Sequence, residues 1–270
     1  MTEQTMEPPT YLATINAHPR DSHISFDEGP HIYTIDGESN YTSVTTWNHS
    51  HFPHFDSDKI IDKMMASKKW PNNKYFGKTK EEIKKLWSDN GKKASEAGTK
   101  MHYDIECFYN GMVPENDSIE YNYFMNFYED NNHLEPFRTE WMVWDSELRL
   151  AGSIDMTFID REKNEIMIFD WKRCKEIKKT NAFETAITEC INYMPNSNFW
   201  HYSLQLNTYK ALLEKNYGVV VGDMYLVCLH PNNKNKSYLL YRVPFLQDNI
   251  QELFELRREQ LAKEYKNNKK

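Results

Sequence analysis

The chain has 270 residues and a mass of 32.3 kDa, enough for one large domain or for one domain with a sizeable elaboration. A mean hydropathy of -0.81, 27% charged residues and no apolar run of about 18 to 20 residues exclude a helical membrane span, and 14% aromatic residues exclude wholesale disorder. The net charge of -7 counts against a nucleic-acid partner only as an average, because residues 58–100 carry twelve Lys against six acids while residues 103–160 carry thirteen acids against Arg138 and Arg149. Such polarity can set a basic lip beside an acidic pocket, as a divalent metal meeting a polyanion requires.

In chain order, residues 1–22 contain Pro8 and Pro9 and no periodicity, which predicts a flexible tail. Met1 to Arg20 has Glu3 and Glu7, no basic start and no apolar stretch, so the expectation is an intracellular protein without a secretory signal. A hairpin is predicted between His23 and Ser43, broken at Glu28-Gly29-Pro30 and Asp36-Gly37. Residues 44–92 read as helical in pieces, with a capping box at Thr79-Lys80-Glu81-Glu82 and a stop at Asn90-Gly91. Trp70, Tyr75, Phe76 and Trp87 interleave with the lysines there, as stacking surfaces or as core.

Ala94, Ala97, Met101, Ile105 and Phe108 recur at helical spacing, with His102 and Glu106 on one face, and Asn110-Gly111 ends that helix. Another helix is predicted over 117–132, then strands at 137–145, 148–160 and 165–172, a helix over 202–217, strands at 224–229 and 238–243, and a final helix from about Leu246. The four cysteines, Cys107, Cys174, Cys190 and Cys228, form no C-x-x-C pair and read as reduced, mostly buried thiols.

The strand Glu165 to Lys172 is continuously apolar until it ends in Asp170-Trp171-Lys172. Side chains alternate along a strand, so Asp170 and Lys172 share a side, roughly 6.5 to 7 Å apart along the backbone. Asp155, flanked by Ile154 and Met156, sits at a similar place on the preceding strand, and pairing through the turn Arg161-Glu162-Lys163-Asn164 would bring the two acids together. Two such carboxylates repel each other unless a cation compensates, and Mg²⁺ or Mn²⁺, with His102 as a further ligand, suits that donor set. Singly, each feature is ordinary: an Asp-x-Lys at a strand end is most often a surface ion pair.

Taken in order, Gly98-Thr99-Lys100-Met101-His102, Glu140, Gly152-Ser153-Ile154-Asp155, Asp170-Trp171-Lys172 and Gln205-Leu206-Asn207-Thr208-Tyr209 resemble the RecB-like branch of the PD-(D/E)XK nuclease superfamily. Within that branch the chain is most similar to the mitochondrial single-strand DNA exonuclease group, through Ser43-Val44-Thr45 and the Asp-Trp-Lys motif. The resemblance implies an α/β fold with a mixed sheet, a restriction-endonuclease-like αβββαβ core over 93–265. Before the core, the hairpin and helical pieces make a region over 23–92 that by this resemblance guides DNA, and after it the residues read as a basic tail over 266–270.

The resemblance also implies that His102, Asp155, Asp170 and the Trp171 carbonyl bind one or two Mg²⁺ or Mn²⁺ ions. Lys172 would position the attacking water, and Glu140 would be the acid of the first strand and Glu106 the acid one turn after the histidine. Ser43, Lys100, Arg173, Gln205 and Tyr209 would organise the site or contact nucleic acid. Arg173 stands where the family often has Thr or Ser, and the cysteines do not match the spacing of the iron-sulfur cluster some relatives carry, so none is expected.

The implied activity is metal-dependent hydrolysis of DNA, by an exonuclease on single strands or ends, with replication or recombination proteins as candidate partners. A structure-specific endonuclease on DNA or RNA, and an inactive nucleic-acid-binding protein of the same fold, are the alternatives. No G-x-x-x-x-G-K-[ST] loop for nucleotide binding is present, and the Asn-, Lys- and Tyr-rich usage would suit an AT-rich genome, including a viral one.

Overall fold

In the computed structural model residues 9–267 are described. The elements are α1 (Tyr11–Ile15), a 3-10 turn at Pro19–His23, β1 (Ile24–Asp27), β2 (Ile32–Ile35), β3 (Thr42–Ser43), α2 (Val44–His49), α3 (Ser57–Met65) and α4 (Lys80–Tyr109). There follow α5 (Ile119–Asp130), β4 (Glu135–Asp145), β5 (Leu150–Asp160), β6 (Glu165–Lys172), α6 (Asn198–Asn216), β7 (Val220–Cys228), β8 (Leu239–Arg242) and α7 (Gln247–Asn267). They divide into two compact units, one of residues up to Pro53 with those from His102 onward, the other His54–Met101.

The first unit is built on a mixed six-stranded sheet in which β4 and β5, β5 and β6, and β7 and β8 are antiparallel, while β3 runs parallel to β5 and β7 parallel to β6. This is the mixed α/β architecture of a restriction-endonuclease-like fold, with α5 inserted into the αβββαβ order and β8 and α7 appended. Alternation along β6 sends Ile166 and Ile168 into one core with Leu204, Leu206, Leu212 and Leu213 of α6. Phe169 and Trp171 go to the opposite face, where they meet Phe124 and Phe127 of α5 and Tyr109 of α4. Both faces are therefore covered, which is why β6 reads as an unbroken apolar run.

Three expectations need correction. Residues 9–22 are not a tail: Leu12 is buried, and the segment lies along β4, an edge strand that among the described residues pairs only with β5. Arg138 donates to the Asn16 carbonyl and pairs with Asp21 at 2.7 Å, Trp141 donates to Asp21, and the Arg20 guanidinium stacks 3.5 Å over Trp144. Covering an edge in this way removes an exposed site for strand pairing. The Asn90-Gly91 stop is also overridden, because α4, 30 residues long, runs straight through it to Tyr109. Gly91 stays outside the left-handed region that ends helices. Finally, Lys266 and Asn267 of the expected basic tail are the end of α7, and residues 1–8 and 268–270 lie outside the described part.

In the second unit, Thr79 and Glu82 form the expected capping box, each side chain accepting from the other's backbone amide. Lys80 pairs with Asp62 and Lys84 with Asp58, so part of its basic charge is spent internally. Lys68, Lys69, Lys85 and Lys93 are exposed.

The Arg138–Asp21 pair is the most testable part of the edge cover, since Arg138 is almost wholly buried and Asp21 about a quarter exposed. Asp21→Ala should destabilise the protein by about 2 to 3 kcal/mol, somewhat less than breaking a fully buried pair. Urea denaturation would measure it, and a loss under 0.5 kcal/mol would mean the segment does not secure β4.

Candidate active site

The site begins where two strands part. β4 occupies one edge of β5 along its length, so β3 and β6 must share the other: β3 pairs with Leu150–Ala151 and β6 with Met156–Asp160. On that second edge, Gly152 to Asp155 has no strand alongside among the described residues, while β6 runs on to Lys172 held by β7. Asp155 closes the gap in the ladder, its Oδ2 accepting from the Trp171 backbone N–H at 2.9 Å. Trp171 is itself locked by its ring, buried among Tyr109, Phe124 and Phe127.

His102, on the last two turns of α4, reaches this notch. Its Nε2 donates to the Trp171 carbonyl at 2.9 Å, and its Nδ1 lies 3.5 Å from Asp155 and 3.7 Å from Glu140. Glu140 arrives at an energetic cost, with φ +42° in the middle of β4, a left-handed backbone that costs a non-glycine residue about 1 to 2 kcal/mol. Its carboxylate accepts from Ser153 Oγ at 2.7 Å. One donor atom each from His102, Glu140 and Asp155 lie within 4.8 Å of one another, a nitrogen-and-oxygen set that fits Mg²⁺ or Mn²⁺.

Asp170 and Lys172 do share a side, and they pair at 2.7 Å. The Lys172 ammonium also lies 4.6 Å over the ring of Tyr202 on α6. Gln205 and Tyr209 continue the same helical face: Gln205 donates to Thr45 Oγ1 at 3.1 Å and to the Tyr209 hydroxyl at 3.4 Å. Tyr209 is buried against Gly152, where a Cβ would come within 2.8 Å of its ring, so glycine there lets α6 close on β5. That arrangement buries Tyr209 between α6 and β5.

Of the remaining expected residues, Ser43 caps α2, accepting from the Thr46 N–H. Arg173 is paired with Glu120 of α5 at 2.6 Å, and Lys100 is exposed on α4. Tyr202 and Ser153 are the contacts that reasoning from sequence missed. Tyr202 sits three residues before Gln205 on the same helical face and Ser153 two before Asp155 on the same strand, and those spacings were the available signal.

A family model of the PD-(D/E)XK nuclease superfamily matches residues 80–269. The chain belongs to the PD-(D/E)XK nuclease superfamily. Membership implies a metal-dependent nuclease, a hydrolase whose substrate is nucleic acid and which uses divalent metal. No curated protein sequence matches the chain. Among solved structures, one titled "Crystal structure of SSO0001" is similar over 83% of this chain and 77% of that one, at 11% identity and a TM-score of 0.35.

In this PD-(D/E)XK nuclease the electrostatics follow from crowding acids around one histidine. Burial disfavours the charged imidazole, but Asp155 and Glu140 outweigh it and raise His102 to about 9. Asp155 is pushed up by burial and then by Asp170, while His102 and Ser153 hold Glu140 below its usual range against burial. Burial works against the Lys172 ammonium too, yet Asp170 and Asp155 keep it cationic. Glu106 is raised to about 8, by burial first and by Glu140 next.

A ligating histidine must be neutral, so a metal held by His102 would have to displace its proton. Apparent Mn²⁺ affinity should therefore rise about tenfold per pH unit from pH 6.5 towards 9 and then level off. The metal-free protein should show the opposite trend: the stability gained from a raised His102 is complete below about pH 6.5 and is lost as pH passes 9. Calorimetric Mn²⁺ titrations at several pH values, with His102→Gln as reference, would check this, and an equal slope in both proteins would exclude His102 as the group displaced.

Proposed function

We propose that the chain is a RecB-like exonuclease that hydrolyses single-stranded DNA or DNA ends, most similar in its site to the mitochondrial single-strand DNA exonuclease group. The observation that carries this reading is the convergence of His102, Glu140 and Asp155 at the parted strands, beside the Asp170–Lys172 pair. Asp155 and His102 would hold the divalent ion, with Glu140, Asp170 and the Trp171 carbonyl as further ligands. When bound, the ion supplies positive charge to the scissile phosphate and makes water a better nucleophile.

The chain's own residues do the positioning. Lys172, kept cationic by Asp170 and Asp155, presents a donor to the phosphate and the incoming water rather than acting as a base. Water attacks phosphorus in line, the bond to the leaving oxygen breaks, and the products are a phosphate monoester and a free hydroxyl. Gln205 ties α6 to Thr45 of α2 and Tyr209 packs it on Gly152 of β5, and together they fix Tyr202 beneath Lys172. The exposed lysines of the His54–Met101 unit supply attraction for the phosphate backbone and guide the strand.

Cleavage of linear single-stranded, linear double-stranded and circular single-stranded DNA tests the proposal, with Mg²⁺, Mn²⁺ or EDTA. Linear single strands should be degraded only with metal, circles should survive, and Asp170→Ala and Lys172→Ala should each lower the rate by about 10³-fold or more with the fold retained. Cutting of circles would make the enzyme an endonuclease. Binding without cleavage under every metal condition would make the chain an inactive binding protein.

A further inference from the structure

Two thiols meet at the ends of neighbouring parallel strands. Cys228 is the last residue of β7, level with Lys172 in the β6–β7 register, and the Leu229 N–H donates to the Lys172 carbonyl at 2.9 Å. Cys174 follows Lys172 by two residues, in the irregular segment that begins after β6, and is partly exposed whereas Cys228 is buried. Their sulfurs are 4.0 Å apart, within reach of an S–H···S contact, and the Cys228 thiol lies 3.0 Å from the Cys174 carbonyl oxygen. The hydrogen bond from Cys174, with one from the His230 backbone, holds the Cys228 thiol below its usual range against burial.

We propose that Cys174 and Cys228 are an oxidation site, at which a hydroperoxide joins them in a reversible disulfide that displaces the chain after Lys172 and lowers the activity of the adjacent site. The regulatory half of this rests on the nuclease reading; the covalent half does not. One sulfur attacks the peroxide, the O–O bond breaks, and a sulfenic acid and water form. The second sulfur attacks the sulfenic sulfur, its S–O bond breaks, and a second water leaves. Both thiol protons end in water, so two thiols and one hydrogen peroxide give one disulfide and two waters.

A disulfide requires about 2.05 Å between sulfurs, so the pair must close by about 2 Å. β7 is an interior strand between β6 and β8, so the irregular segment carrying Cys174 is the side that has to shift, against its Arg173–Glu120 pair. The displacement falls two residues from the ammonium that Asp170 and Tyr202 position, where a shift of about 1 Å can cost on the order of 10²-fold in rate.

The test treats the reduced full-length protein with hydrogen peroxide, maps peptides without reductant and assays cleavage of linear single-stranded DNA on the same samples. The expected result is a Cys174–Cys228 linked peptide two hydrogens lighter than its reduced parts, with Cys107 and Cys190 still reduced. Cleavage should fall by about 10²-fold, recover with dithiothreitol, and be insensitive to peroxide in Cys174→Ser. Failure to find the linked peptide, or oxidation of either thiol only to sulfinic acid, would overturn the site. A linked peptide with unchanged cleavage would overturn its regulatory effect. If the reduced protein cleaves nothing, the nuclease reading fails while the peptide map still decides the thiol chemistry.

Discussion

Everything in the candidate site depends on one hydrogen bond, from the Trp171 backbone N–H to the Asp155 carboxylate. In an unbroken ladder that N–H would meet a carbonyl of β5; here β5 and β6 have parted, and an acidic side chain substitutes for the missing acceptor. The substitution has two consequences. It anchors Asp155 so that its carboxylate can serve a metal, and it exposes the Trp171 carbonyl to His102 of α4. The packing of the Trp171 ring into the aromatic cluster of α4 and α5 keeps the strand end from moving back.

The arrangement stores unfavourable energy in the metal-free state. Asp155, Asp170 and Glu140 crowd together, Glu140 adopts a left-handed backbone, and the compensating charges are a histidine and a lysine that are both partly desolvated. Hydrophobic packing on both faces of the sheet offsets these costs, and a divalent cation would relieve them directly. Such strain concentrated at one place is the pattern expected of a site selected for chemistry rather than for stability.

The sequence made the core elements legible because their periodicities are strong. The strands ending at Asp145, Asp160 and Lys172 lie within two residues of their expected starts and end as expected, and the helix carrying Gln205 and Tyr209 begins only four residues earlier than predicted. What failed was local punctuation overruled by distant partners. Asn90-Gly91 resembles a helix stop, yet the helix continues through it. Residues 9–22 lack periodicity because they are ordered by Arg138, Trp141 and Trp144, more than a hundred residues away. The left-handed conformation at Glu140 and the stacking of Lys172 on Tyr202 leave no mark in a pattern of residue types, since both are consequences of how strands and helices come to rest against each other.

The central claim is that the parted strands gather His102, Glu140 and Asp155 into one divalent-metal site beside Asp170 and Lys172. Anomalous diffraction from a crystal grown with Mn²⁺ tests it most directly. A peak within about 2.3 Å of the His102 imidazole and the Asp155 carboxylate is the predicted result. Manganese bound elsewhere with this cluster vacant, or no manganese at concentrations that support cleavage, would contradict the account.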